Sequence, residues 1–320
     1  MIRQENKAKA YFAAIVAMYM LITFVVSFVP EKFLTSEMSI ILGQSVVMVP
    51  GIIYVIINRK DIFKRIPFKK VSIVNVILIV LFTYAILPVV TLINAISMLF
   101  VKNQVSEVLA DFDKNPFLLS LLMVAVLPAV FEELSFRGII YSGLKTKNIM
   151  YGILISSSLF GIFHMNINQF LYAAILGIVL ILVMEATGSI VGAMIMHFTF
   201  NANSVILTYL LGALERIVSD SAGEAEKIAE TTVDVQDYIG IVIVVYAVLS
   251  IITGTIAFFL FRFIAKRCNR WKHIKSIFRN NKIVKTKKDK LLAQDIVCNI
   301  LFVMAMIVSI LIMIIGEIAR

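Results

Sequence analysis

The chain has 320 residues, of which 60% are hydrophobic and only 16% charged. Soluble globular chains run at about 45–50% apolar and about 25% charged, so composition excludes that class and indicates a polytopic membrane protein. The net charge of +10 sits in short segments between apolar runs, where it reports topology rather than a nucleic-acid surface, and two cysteines, Cys268 and Cys298, are too few for a disulfide framework.

Residues 1–10 carry Arg3, Lys7 and Lys9 and lead into a first span, about Tyr11 to Val29. It starts like a signal peptide but is long and has no clear small-residue cleavage site, so an uncleaved first helix is expected. A second span runs from about Ser39 to Asn58, and a third from Val71 to Val101, with Pro88 as a candidate kink. Pro116 is expected at the first helical position of a fourth span ending near Tyr141. The fifth covers about Met150 to Met165, the sixth Gln169 to Ala186, and the seventh Ile190 to Leu211. An eighth, Tyr238 to Phe261, and a ninth, Asp295 to Ile315, complete an all-α transmembrane bundle of about nine spans.

Alternating the loops tests that count. The N-terminus, 59–70, 145–148 and 262–290 are basic and fall on one side, together with the short 187–189 turn. Loops 102–115 and 213–237 are acidic and fall on the other. The positive-inside rule then gives an integral cell-membrane protein with its N-terminus in the cytoplasm and its C-terminus outside. Segment 262–290 holds twelve Lys/Arg with Asp289 as its one acid. It reads as a topology anchor that attracts anionic lipid headgroups. Nucleic acid is not expected as a partner, since no binding fold stands behind it.

The chemistry lies in the spans. Charged residues at the centre of a transmembrane helix cost roughly 2.5–3.5 kcal/mol each on insertion scales, which makes them functional candidates. Glu185, Asp295 and Glu317 lie at span ends and are expected to snorkel to water. The deep ionisable residues are Glu132, Glu133, Arg137, His164 and His197, on spans four, five and seven only. Glu133 and Arg137 are i,i+4 and can pair on one face. Glu132 is rotated by about 100° and points elsewhere. His197 and Asn201 share a face, as do Phe160 and His164. Taken alone, Glu133–Arg137 reads as a structural ion pair and Phe160 as packing. Ser156, Ser157 and Ser158 read as small residues that let helices approach.

Glu132-Glu133-x-x-x-Arg137, then Phe160-x-x-x-His164, then His197-x-x-x-Asn201 resembles the three-motif signature of the CPBP intramembrane proteases. That family includes the type II CAAX prenyl endopeptidases and the Abi bacteriocin-immunity proteins. The resemblance covers about residues 116–205 and implies a protease-like core of about eight helices. It divides the chain into N-terminal helices (1–115), the catalytic core (116–205) and C-terminal helices (206–320). It also implies an intramembrane endopeptidase acting on a membrane-associated peptide or protein. In those roles Glu132 and His164 activate a water, His197 and Asn201 stabilise the oxyanion, and Glu133 and Arg137 support them. No cofactor is required by this scheme. Zinc held by Glu132, His164 and His197 is the competing arrangement, because two histidines and a carboxylate suit a catalytic site with one open position.

Two non-proteolytic alternatives stay open. Glu/His chains in spans also make proton relays, so a proton-coupled carrier is one, although no internal repeat supports it. An immunity protein that sequesters a peptide is the other.

Overall fold

The computed structural model describes residues 4–101, 115–146, 148–221, 235–279 and 293–318. These residues form ten helices. The protein is a multi-pass integral membrane protein: among the described residues, eight helices are long and apolar enough to cross a bilayer. Helices are the expected solution, because hydrocarbon offers no partner for an open backbone N–H or C=O.

In chain order the helices are α1 (Gln4–Val26), α2 (Ser36–Arg65), α3 (Ile73–Ser97), α4 (Phe117–Leu144), α5 (Ile149–Phe163) and α6 (Ile167–Thr187). They continue with α7 (Ile190–Ser221), α8 (Val235–Arg267), α9 (Trp271–Arg279) and α10 (Ala293–Ile318). Side chains set several of the starts. Thr35, Ser72, Asn148 and Asn166 each accept the backbone N–H three residues on, capping α2, α3, α5 and α6. Gly188 closes α6 at φ 68°, in the left-handed region that glycine enters without a Cβ penalty.

Several expectations need adjustment. Pro116 is the N-cap of α4, and the helix begins at Phe117. Pro88 lies inside α3, which remains one helix of 25 residues. The expected fifth span is α5, with 15 residues, about 22 Å at 1.5 Å per residue. That is short of a hydrocarbon core of about 30 Å. The turn from α5 into α6 therefore lies at membrane depth, where irregular backbone persists only if it lines a cavity or is buried in protein. The basic segment is only partly a loop: α8 continues to Arg267, and α9 is a short amphipathic helix with Ile274 and Ile277 buried. The acidic residues of 102–114 and 222–234, and the basic ones of 280–292, lie outside the described residues.

The core gathers around α4, α5, α6 and α7. Gly161 and Gly177 let α5 and α6 approach closely: a Cβ at Gly161 would stand 2.5 Å from the Phe170 carbonyl oxygen, and one at Gly177 3.0 Å from the Ser157 Cβ. The expected close packing at the serines is thus present. Ser156 also spends its hydroxyl on the Phe136 carbonyl at 3.0 Å. On the basic side, the turn before α7 is pinned to the α2–α3 connection. Ile190 N–H donates to the Pro67 carbonyl at 3.0 Å, and Ser189 Oγ donates to that of Lys69 at 2.6 Å. Outside this core, α3 packs along α8, and α1 against α2 and α10.

Glu185 and Asp295 do not snorkel; both are buried. Glu185 binds Lys145 at 3.1 Å, Arg270 at 3.0 Å and His273 at 2.7 Å, and accepts the Tyr141 hydroxyl at 2.8 Å. The basic segment folds back to supply the cations, so the carboxylate is neutralised in place. Asp295 accepts an amide hydrogen bond from Asn6, joining α10 to α1.

Candidate active site

The site is shaped by an irregular helix. Leu122–Val126 and Leu134–Tyr141 of α4 are π-helical, flanking the seven-residue α-helical stretch Leu127–Glu133. The first wide turn has a covalent cause. The Val124 carbonyl would normally accept from residue 128, which is a proline with no N–H and a ring that crowds that carbonyl. Asn201 of α7 takes the vacancy, its Nδ2 donating to the Val124 oxygen at 3.0 Å. In the second wide turn, the Phe136 and Gly138 carbonyls accept from the hydroxyls of Ser156 and Ser142. π-Turns inside α-helices are common at functional sites, and these two bracket Glu132 and Glu133.

Glu132 and Glu133 diverge as the helical rotation requires. Glu133 is fully buried and pairs with the equally buried Arg137 at 3.0 Å. The Arg137 guanidinium also donates to the Gly177 carbonyl at 3.3 Å and lies 4.3 Å above the Phe160 ring. The same Glu133 oxygen accepts from His197 Nδ1 at 2.8 Å. Glu133 therefore fixes two cationic or donor groups at once, beyond the ion pair expected of it.

Glu132 faces the other way, into a cavity of about 520 Å³ that His164, His197, Asn201, Gln44 and Phe160 also line. Its Oε2 stands 3.9 Å from His197 Nε2, and its Oε1 accepts from Gln44 Nε2 at 3.3 Å. His164 sits at the C-terminus of α5, followed by Met165 at φ 50°. The left-handed conformation of a non-glycine residue costs roughly 1–2 kcal/mol, and here it turns the chain sharply along the cavity wall. Phe160 is buried against both imidazoles, with ring centroids 5.0 Å from His164 and 6.0 Å from His197.

Hydrogen bonds set both histidine tautomers. His164 Nδ1 lies 2.8 Å from the Phe160 carbonyl, which can only accept, so Nδ1 carries the hydrogen. His197 Nδ1 faces the same Glu133 oxygen that accepts from Arg137, and likewise donates. In each ring this leaves Nε2 as the nitrogen available for chemistry.

Glu132, Phe160, His164, His197 and Asn201 thus line one cavity, although they come from three helices, with Glu133 and Arg137 buried behind them against His197 and Phe160. Among the described residues, no group of three or more His, Cys, Asp and Glu side chains is disposed to hold a metal ion. Glu132, His164 and His197 therefore do not fit a zinc centre in this arrangement. Gln44 was missed by sequence reasoning. An amide in an apolar span is itself a signal, because it costs free energy unless bonded. Pro128, four residues before Glu132, was the second signal passed over.

Residues 114–203 match the family model described as type II CAAX prenyl endopeptidase Rce1-like. No curated protein and no solved structure matches the chain. Segment 114–203, which contributes every residue of this cluster except Gln44, thus carries the match to the Rce1-like type II CAAX prenyl endopeptidases, a family of membrane proteases.

Proposed function

We propose that the protein is an intramembrane endopeptidase that hydrolyses a membrane-associated peptide or protein, with Glu132 as general base. The observation that carries this reading is the convergence of Glu132, His164, His197 and Asn201 on one cavity within the membrane-spanning bundle. A water held by the Glu132 carboxylate and His164 Nε2 gives its proton to Glu132 as its oxygen attacks the scissile carbonyl carbon. The resulting oxyanion accepts from Asn201, whose second Nδ2 hydrogen is not committed to Val124, and from His197 Nε2 when that imidazole is protonated. Collapse breaks the C–N bond, and Glu132 returns the proton to the leaving amine. General base catalysis contributes roughly 10²–10⁴-fold, and one oxyanion donor roughly 10²–10³-fold.

The substrate enters from lipid or from the membrane surface, since the residues that would act on it lie at bilayer depth. In this reading the basic side faces the cytoplasm. There α9 rests its apolar face on the protein and exposes Lys272, Lys275 and Arg279, which suits anionic headgroups. The test is mass-spectrometric product analysis after incubating purified protein in detergent with membrane-associated peptides. Products from wild type that vanish with Glu132→Ala support the reading. The same products from both would overturn it.

A further inference from the structure

Gln44 lies on α2, outside the matched segment 114–203, yet it is the cavity's link to Glu132. Its Nε2 donates to Glu132 Oε1 at 3.3 Å, and its own Oε1 is buried with no hydrogen-bond partner. The carboxylate can only accept, so the amide must turn its nitrogen toward Glu132 and its oxygen away. A buried carbonyl oxygen without a partner is costly, so the fold tolerates an orphaned acceptor here while the amide nitrogen is committed to Glu132. The two carboxylates are also treated differently. Glu133 is held by a guanidinium and an imidazole, whereas Glu132 is held by a neutral amide that orients it without compensating its charge.

We infer that Gln44 completes the site from the N-terminal helices. Its amide nitrogen holds the Glu132 carboxylate in the orientation in which it faces the cavity, so Gln44 is a positioning residue for the proposed general base. This rests on the peptide-hydrolysis reading above.

Two variants test the role. Gln44→Met keeps the length and removes both hydrogen-bonding ends. Gln44→Glu loses the donor and sets a second carboxyl group beside Glu132. With a quenched-fluorescence pool of randomised octapeptides in detergent, Gln44→Met lowers kcat by roughly 10- to 100-fold with KM near wild type. It should be no less heat-stable than wild type, because an orphaned polar atom is removed. Gln44→Glu likewise lowers kcat with KM near wild type. Wild-type kinetics in Gln44→Met would overturn the inference, as would a loss of activity matched by a loss of folding. A second readout does not depend on cleavage: the infrared carboxylate band that disappears with Glu132→Gln should shift in Gln44→Met. If wild type cleaves nothing in the pool, the peptidase reading fails for that probe, while an unshifted band overturns the positioning role on its own.

Discussion

Replacing Asn201 with alanine should cost stability only while residue 128 is proline. The Val124 carbonyl has no helical donor because Pro128 lacks an N–H, and Asn201 Nδ2 supplies one at 3.0 Å. Removing that amide leaves the carbonyl unsatisfied, at about 1–3 kcal/mol. Pro128→Ala restores an N–H four residues on and relieves the ring's contact with the carbonyl, so α4 can close with its own bond. In that background Asn201→Ala should cost less than about 0.5 kcal/mol, giving a coupling of about 1–2.5 kcal/mol in a double-mutant cycle. The assay is unfolding of the four proteins in one detergent, by heat or by denaturant. Pro128→Ala should itself be at least as stable as wild type but less active. Closing the wide turn rotates Glu132, one turn on, away from the cavity. Equal costs of Asn201→Ala in the two backgrounds would refute the argument, because Val124 would then gain nothing from the restored donor.

Other outcomes follow from contacts elsewhere. Glu133→Gln leaves Arg137 buried without its counter-ion, and urea unfolding in detergent should show a loss of about 3–5 kcal/mol; joint replacement of Glu133 and Arg137 with Leu and Met should recover most of that while abolishing cleavage, because His197 Nδ1 loses its acceptor. Gly161→Ala should destabilise more than Gly177→Ala by thermal unfolding, since the first Cβ would meet a backbone oxygen at 2.5 Å and the second a serine Cβ at 3.0 Å. Glu185→Ala should release α9, read as faster tryptic cleavage between Arg267 and Arg279, because Arg270 and His273 lose their shared carboxylate. Burial pushes the Cys268 thiol up, so maleimide labelling at neutral pH should be slower than for a free thiol and should rise as pH is raised.

The spans were legible because an apolar run about 20 residues long has few alternatives to a transmembrane helix. α5 was placed but its consequence was missed: 15 residues place the His164 turn inside the membrane. The Glu133–Arg137 pair followed from spacing, since both residues sit on one helix. His197 joining Glu133, and Gln44 joining Glu132, did not follow, because contacts between helices depend on tilt and rotation that no linear pattern encodes. Glu185 illustrates the same limit. A carboxylate at a span end normally finds water, and only the return of Arg270, 85 residues later, buries it. Pro128 was different in kind: its effect on the Val124 carbonyl is local chemistry, readable from the sequence once the missing N–H is traced four residues back.

The most direct test of the central claim is peptide cleavage by purified Glu132→Gln protein compared with wild type, each with and without a zinc chelator. Glu132→Gln preserves shape while removing the base, so the account predicts normal thermal unfolding, a fall in kcat of at least about 10²-fold, and a wild-type rate that the chelator leaves unchanged. Undiminished cleavage by Glu132→Gln would contradict the assignment of the base, and wild-type activity lost to the chelator would contradict the metal-free route.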